Sequence, residues 1–233
     1  METLHVPQGS FELARYPNKK KDPLRAWDAA DEYLLQHLHE EGLPDKHQRL
    51  GILNDGFGAL SLALAQQHPW VVSDSWLAQQ GTLANLKRNR LPADHVRLLS
   101  SLQPIPGLLD LVLIKVPKNL ALLEYQLHQL RSVLHNDSII MGAAMSRHIH
   151  NSTLRLFERI IGPAHTSLAR KKARLIHCRP GVSTDSEKNP WPKQYQLENT
   201  EFSITNHANV FSNSRLDIGS RFFLQHLPRR DAA

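Results

Sequence analysis

The sequence predicts an α/β fold in which a mostly parallel sheet carries helices on both faces. Short apolar runs alternate with helical stretches between residues 50 and 161, the runs are apolar along their length, and the pattern changes after Gly162-Pro163. Strands that alternate with helices are typical of a parallel sheet. Continuously apolar strands are typical of burial on both sides. We therefore expect one sheet that is covered on both faces.

The individual elements follow from this pattern. Strands are predicted at residues 50–54, 70–74, 95–100, 108–116 and 138–143, and helices at 58–68, 76–89, 119–134 and about 148–161. An earlier helix is predicted to begin at Asp22-Pro23, because an aspartate N-cap followed by proline favours a helix start. It runs to about Glu41, where Gly42 and Pro44 end it.

The pattern after residue 163 differs from the one before it. Residues 165–169 and 173–178 flank a basic tip, and they predict an antiparallel hairpin that closes one edge of the sheet. Residues 179–193 contain three prolines and are typical of a linker or long exposed loop. Two short strands are then predicted, which gives a short β-rich C-terminal extension. The tail 208–228 is rich in Phe and Leu, with little chain left for its apolar side chains to pack against.

Composition excludes several classes of protein. The chain has 233 residues, of which 41% are hydrophobic and one is cysteine. A single thiol, Cys178, forms no internal disulfide, which excludes a disulfide-stapled secreted scaffold and favours a reducing cytoplasm. The sequence has no signal-peptide core and no run of about 18 apolar residues, so no membrane association is expected. The fourteen histidines lack carboxylates at a ligand spacing, and we expect no metal site.

Charge is distributed unevenly along the chain. The net charge is +6, but residues 1–48 carry −3 and residues 49–233 carry +9. The bases cluster at Lys19-Lys20-Lys21, at Lys87, Arg88 and Arg90, and at Arg170-Lys171-Lys172 with Arg174. A body this basic favours a nucleic-acid partner. The alternative is a set of solvated surface charges.

A glycine-bearing turn joins the first strand of the repeating pattern to its helix. It contains Asn54, Gly56, Gly58 and Leu60, and Asp74 ends the next strand about twenty residues later. In doubly wound folds this turn contacts a nucleotide-like cofactor, and the acid accepts hydrogen bonds from ribose. A third glycine is missing at Leu60, so a tight turn without a ligand is the alternative.

Two groups of basic residues are candidate phosphate contacts. Lys115 and Lys118 follow the strongest predicted strand, and functional residues gather at the carboxyl ends of parallel strands. Alternation on the predicted hairpin would place Arg170 and Lys172 on one face and Lys171 on the other. Solvated strand flanks and a charged edge strand are the alternatives.

Five segments resemble a known family. They are LRAWDAADEYLL (24–35), LNDGFGALSLALA (53–65), VLIKVPKNLALLE (112–124), LARKKARLIHC (168–178) and NHANVFSNSRLDIGSRFFLQHLP (206–228). Together they resemble the N-terminal half of the bacterial ribosomal RNA large subunit methyltransferase G family. The resemblance implies two tandem class I methyltransferase-like domains, the first degenerate and the second catalytic. It also implies S-adenosylmethionine as the cofactor and the N2 of a guanine in 23S ribosomal RNA as the target.

Against the family pattern, this chain departs at the positions that carry the chemistry. The acid that ends the first strand is replaced by Asn54, and the third glycine by Leu60, whose side chain we expect to point toward the methionine part of the cofactor. The family's catalytic Asn-Pro-Pro-Phe corresponds to Lys115-Val116-Pro117-Lys118. Asp74 matches the ribose-binding acid. We therefore expect Asn54, Gly56, Gly58 and Asp74 to be vestigial, with no catalytic residue and no cofactor bound to this chain.

The resemblance leads to a division of the chain and a function. Residues 1–180 are expected to form a degenerate Rossmann-like class I methyltransferase domain, 181–207 a linker with short strands, and 208–233 the start of a catalytic domain absent from this chain. The chain is expected to recognise 23S ribosomal RNA in the cytoplasm. Its expected RNA contacts are Lys115, Lys118, Arg170, Lys171, Lys172 and Arg174, with Lys87 and Arg88 as weaker candidates. The alternatives are a structural brace for the catalytic domain and a self-sufficient methyltransferase.

Overall fold

A computed structural model describes residues 2–19, 22–45, 47–181, 187–198 and 200–227. The strands are β1 (Glu2–Val6), β2 (Gly9–Leu13), β3 (Leu50–Leu53), β4 (Trp70–Ser73), β5 (Arg97–Ser100), β6 (Leu109–Lys115), β7 (Leu134–Met145), β8 (Ala164–Thr166), β9 (Ala173–Cys178), β10 (Lys193–Gln196) and β11 (Ser203–Asn206). The helices are α1 (Ala29–Glu40), α2 (Ala59–Ala63), α3 (Trp76–Arg88), α4 (Leu120–Arg131), α5 (Asn151–Ile160) and α6 (Ile218–Gln225).

The central sheet has seven strands in the order β5-β4-β3-β6-β7-β9-β8. Strands β3 to β7 are parallel, and β9 is antiparallel to both of its neighbours. The chain moves outward from β3 to β5 and then crosses back to β6, so the strand order reverses between β3 and β6. In open α/β sheets the crevice at the carboxyl ends of such a pair is where ligands bind.

Both faces of the sheet are buried, as the continuously apolar strands predict. Along β6, Leu111 and Leu113 pack into one core with α1 and α2, while Val112 and Ile114 pack into a second core with α4 and α5. All four side chains are fully buried. Because side chains alternate between the faces of a strand, a strand with no polar face must be covered on both sides.

The predicted antiparallel hairpin that closes one edge of the sheet is confirmed. Strand β9 lies one strand in from the edge, and β8 forms the edge itself. Lys171 and Lys172 are the two turn residues at its tip, with φ angles of 48° and 63°. A two-residue turn with positive φ at both positions is the type that matches strand twist. The expected alternation of these lysines across a strand is therefore wrong, because they lie in the turn.

The predicted start of the first helix is also wrong. Helix α1 begins at Ala29, and Asp28 is its N-cap. Asp28 accepts a hydrogen bond from Ala30 N at 2.8 Å, and its own N–H donates to Asp31 Oδ2 at 2.9 Å. This is a reciprocal capping box. Asp22 instead accepts from Leu24 N in a local turn.

The hairpin β1–β2 was not predicted, and it packs across α2 and α3. The buried amide of Asn85 on α3 accepts from Ala14 N at 3.1 Å and donates to Ala14 O at 2.9 Å. Asn89, one turn later, makes the same pair of bonds to Glu12 at 2.8 Å each. Side-chain amides thus stand in for a neighbouring strand and fix the hairpin to the domain.

The C-terminal part contains the two predicted short strands, paired antiparallel as β10 and β11. The tail forms α6, capped by Asp217, with exposed apolar side chains at Ile218, Phe222 and Phe223. None of the helices in the described ranges is long and apolar enough to cross a membrane.

Candidate functional site at the carboxyl ends of the strands

Lys115 ends β6 and is the centre of a buried ion cluster. Its Nζ atom lies 2.8 Å from Asp28 Oδ1 and 2.9 Å from Asp31 Oδ1, and its side chain is 15% exposed. Burial disfavours the charge on Lys115, but the two carboxylates outweigh it and raise the pKa of the lysine. The capping box of α1 therefore holds Lys115 inward, which does not support the expectation that this residue contacts RNA.

Asp31 is the buried carboxylate of this cluster. Burial raises its pKa to about 6, against the lowering effect of Lys115, and the neighbouring charges of Asp28 and Asp55 raise it as well. Asp28 is half exposed, and its pKa is lowered, because Lys115 and the cap hydrogen bonds outweigh its burial. One lysine thus neutralises a pair of carboxylates that differ in their affinity for a proton.

Asn54 follows β3 and links it to β6 and α4. Its Nδ2 atom donates to Lys115 O at 3.1 Å and to Gln126 Oε1 at 2.8 Å. Gln126 returns a 2.7 Å bond from Nε2 to Asn54 Oδ1. The amide of Asn54 is thereby used by the protein itself at the switch point of the sheet.

The glycine turn is compact, and its acid points inward. Asp55 is 2% exposed and accepts from Ser61 N at 2.8 Å and Ser61 Oγ at 2.7 Å. Gly58 has φ +91°, and a Cβ there would lie 2.8 Å from Leu62 Cδ1. A Cβ on Gly56 would meet nothing within 4 Å. The positive φ favours glycine at Gly58 and the close neighbours add to this constraint, while Gly56 borders open space.

The side chain of Leu60 was expected to point toward the methionine part of a cofactor, and it does not. Its side chain is fully buried in the core formed with α1 and β3. The reason is its position in the first turn of α2, where the helix turns this residue toward the sheet. The leucine that stands in place of the third glycine is therefore a core residue.

Asp74 follows β4 and is contacted by a segment near the C-terminus. Its carboxylate accepts a hydrogen bond from Asn209 Nδ2. Asn209 Oδ1 accepts in turn from Asn119 Nδ2, the N-cap of α4, at 2.8 Å. The neighbouring Ala208 is 1% exposed and packs against α4. The position expected to bind ribose is therefore paired with the chain's own amide.

The same segment is anchored further back by Trp191. This side chain is 6% exposed, and its Nε1 donates to Glu124 Oε2 of α4 at 3.0 Å. Arg159 of α5 bonds Glu124 at 2.6 Å and Glu187 at 2.9 Å. We call the described residues 187–198 and 200–209 the docked segment, since Trp191, His207 and Ala208 contact α4 and Asn209 reaches the carboxyl ends of the strands.

The basic hairpin tip is partly neutralised by α1. Arg170 lies 3.4 Å from Glu40, and Lys171 lies 3.0 Å from Glu32. Lys172 and Arg174 are exposed and form no ion pair with any described residue, and the same holds for Lys118. Three of the six expected RNA contacts are therefore exposed and unpaired. Lys20 and Lys21 lie outside the described residues.

Arg147 joins this group and was not singled out from the sequence. The loop after β7 reaches the hairpin tip, where Ser146 N donates to Lys172 O at 2.7 Å. Arg147 Nε contacts His148 Nε2 at 3.2 Å. Desolvation lowers the pKa of His148, and the charges of Arg147 and Lys118 lower it further. We call Lys118, Arg147, Lys172 and Arg174 the basic edge.

Arg147 could have been singled out because it closely follows a strand, but the sequence pattern misplaced the end of that strand. The strand was predicted to end at residue 143, whereas β7 continues to Met145. Lys87 and Arg88 lie in the last turn of α3. Because α3 connects β4 to the edge strand β5, they lie toward the edge of the sheet opposite the β8–β9 hairpin.

Comparison with known proteins agrees with this architecture. The sequence matches the family described as the RLMG N-terminal domain over residues 1–182. It is 48% identical over 240 residues to the ribosomal RNA large subunit methyltransferase G of Streptomyces griseus, covering 100% of this chain and 62% of that protein. It is 50% identical to the protein of the same name from Erwinia tasmaniensis, covering 98% and 60%. The chain thus spans less than two thirds of these relatives.

A solved structure shares the fold. The T. thermophilus 16S rRNA N2 methyltransferase RsmC, in complex with AdoMet and guanosine, aligns with a TM-score of 0.63 at 17% identity, over 96% of this chain and 57% of that one. The expected class I methyltransferase-like fold is therefore confirmed. Taken with the family match and the two relatives, this places the chain in the ribosomal RNA large subunit methyltransferase G family.

Proposed function

We propose that this chain is the RNA-binding, non-catalytic N-terminal part of an S-adenosylmethionine-dependent methyltransferase that modifies the N2 of a guanine in 23S ribosomal RNA. The observation that carries the proposal is the burial of Lys115 between Asp28 and Asp31, at the position corresponding to the family's catalytic motif. Removal of a proton from an exocyclic amine needs an acceptor that faces the amine. An ammonium group only donates.

The cofactor positions support the same conclusion. The amide of Asn54 is bonded to Gln126 and to β6, and Asp74 is bonded to Asn209. A bound nucleoside would have to replace these internal bonds. These residues do not fit S-adenosylmethionine as arranged, so we assign the cofactor to the catalytic domain of the longer enzyme. A self-sufficient methyltransferase is not favoured by any of these contacts.

The basic edge supports RNA binding. Its four cations project from the carboxyl ends of β6 and β7 and from the hairpin tip, and none is paired with a described acid. Surface cations that neutralise phosphates release the counterions condensed on the RNA, and this gives affinity for RNA without sequence information. We therefore keep Lys118, Lys172 and Arg174 as RNA contacts, add Arg147, and no longer include Lys115, Arg170 and Lys171.

The tail supports the proposed division of the chain. Ile218 is 88% exposed, Phe222 62% and Phe223 65%. A groove of about 540 Å³ lies between α6 and the β10–β11 hairpin. Adjacent apolar side chains this exposed are typical of a surface that another domain covers. We assign residues 1–180 to the degenerate domain, 181–207 to the linker, and 208–233 to the start of the catalytic domain, which the first domain also braces.

The test is the affinity of the chain for protein-free 23S ribosomal RNA. Charge reversal at two positions of the basic edge, Lys172→Glu with Arg174→Glu, should weaken binding roughly tenfold or more at moderate salt. Lys87→Glu with Arg90→Glu is the matched control, because both residues are exposed at the opposite edge of the sheet and the change in charge is the same. Equal loss in both variants, or no loss in either, contradicts the proposed RNA surface. Calorimetric titration with S-adenosylmethionine tests the cofactor claim, and micromolar binding would overturn it.

A further inference from the structure

Three histidine rings from three different elements meet on the α1 side of the sheet. The ring of His177 on β9 stacks on that of His165 on β8, with centroids 5.2 Å apart and planes 15° apart. His37 of α1 meets His177 edge-on at 4.9 Å. No hydrogen bond joins the ring nitrogens of these histidines to any described residue, so the nitrogens are available to a ligand.

The rings line one wall of an open groove of about 570 Å³. Leu43, Ile139 and Met141 supply apolar surface, and Arg179 lies at its end. His177 pairs with Met141 of β7, whereas the basic edge lies beyond Met145, so the groove and the basic edge lie at different positions along the strands.

The chemistry of the groove matches a flat heteroaromatic ring. Burial lowers the pKa of His177, the charges of His37 and His165 lower it further, and Glu41 opposes them. A neutral imidazole stacks without charge repulsion and offers one donor and one acceptor. Apolar walls with a few convergent polar groups are typical of small-ligand sites. The described residues contain no group of three or more His, Cys, Asp or Glu that could hold a metal ion.

We propose that this groove binds one unpaired base of the RNA, stacked against the face of His165 that His177 leaves free, with Arg179 on the flanking phosphate. The proposal rests on the proposed RNA-binding function. Proteins read single-stranded RNA by stacking unpaired bases on aromatic rings, histidine included. The basic edge alone would bind paired and unpaired RNA alike, whereas the groove selects for an unpaired base.

The experiment compares the full chain's affinity for two labelled RNAs, a single strand about ten nucleotides long and the duplex of the same sequence. His165→Ala should weaken single-strand binding about tenfold, the scale of one stacked base, and leave duplex binding unchanged. His165→Phe should restore most of the affinity because it restores a stacking face. His5→Ala is the matched control, since His5 is exposed and bonded only to Ser10.

The outcomes separate this inference from the proposed function. If Lys172→Glu weakens RNA binding but His165→Ala does not, the groove is not a base site and the RNA-binding role stands. If the wild-type chain binds neither RNA, the proposed function fails. If His165→Ala weakens single strand and duplex equally, or His165→Phe does not restore binding, stacking of a base is contradicted.

Discussion

The Nζ atom of Lys115 lies 2.9 Å from Oδ1 of Asp31, an aspartate whose side chain is 6% exposed. The two residues belong to the end of a central strand and the first turn of α1, so the pair fixes α1 over the carboxyl edge of the sheet. Removing one partner of such a buried pair destabilises the fold more than removing both, because a lone buried charge has no compensation.

Replacement of the lysine tests that relationship. Lys115→Met should lower the free energy of unfolding by about 3 kcal/mol, because it leaves Asp31 buried without its cation. Adding Asp31→Asn should recover most of that loss. Urea denaturation of both variants measures this, and a Lys115→Met protein as stable as the wild type would contradict the buried pair.

The pH dependence of stability follows from the same carboxyl. Burial raises the pKa of folded Asp31 from 3.8 to about 6. Between those values the folded state holds the proton that the unfolded state has lost, so this group's contribution to stability falls as the pH rises. The stability of wild type relative to Asp31→Asn should therefore decline from about pH 4 to about pH 6 and be level above it. Urea denaturation at a series of pH values measures this, and a rise over that range contradicts it.

The glycine turn gives a matched pair of substitutions. Gly58→Ala should destabilise the protein by about 1–3 kcal/mol, because φ is +91° and the new Cβ would lie 2.8 Å from Leu62 Cδ1. Gly56→Ala should change stability by less than about 1 kcal/mol, since nothing lies within 4 Å of its Cβ position. Thermal unfolding distinguishes them. Equal effects would show that the turn is not held as described.

Trp191 is the largest buried side chain that holds the docked segment on α4. Trp191→Ala removes a side chain that is 6% exposed and bonded to Glu124, so hydrogen exchange in β10 and β11 should accelerate while that in β6 is unchanged. Trp76→Ala is the control, because Trp76 is 63% exposed. If the two substitutions have the same effect on exchange, the docked segment is not held by Trp191.

Prediction from the sequence was most accurate for strands and helices that are recognised from a local residue pattern. The strand predicted at 108–116 and the helix at 119–134 were placed within three residues of β6 and α4, because apolar continuity and helical spacing are local signals. The hairpin β1–β2 was missed, since the amides of Asn85 and Asn89 that hold it lie more than seventy residues away.

The site depended on contacts that no local pattern contains. Lys115 was placed correctly at the end of a strand, but its burial comes from a capping box 84 residues earlier. Asp74 was identified as the acid after its strand, while its partner Asn209 lies 135 residues later. Residue type and strand position indicated where chemistry would be expected, and tertiary packing decided which of those side chains remain free.

The salt dependence of RNA binding by the wild-type chain and by the Lys172→Glu, Arg174→Glu variant tests the RNA-binding role most directly. For the wild type, the logarithm of the association constant should fall steeply and linearly with the logarithm of salt concentration. For the variant, the slope should be shallower by about two, roughly one for each lost phosphate contact. Affinity that is unchanged between low and moderate salt, or identical slopes for the two proteins, would contradict an RNA-binding domain that acts through its basic edge.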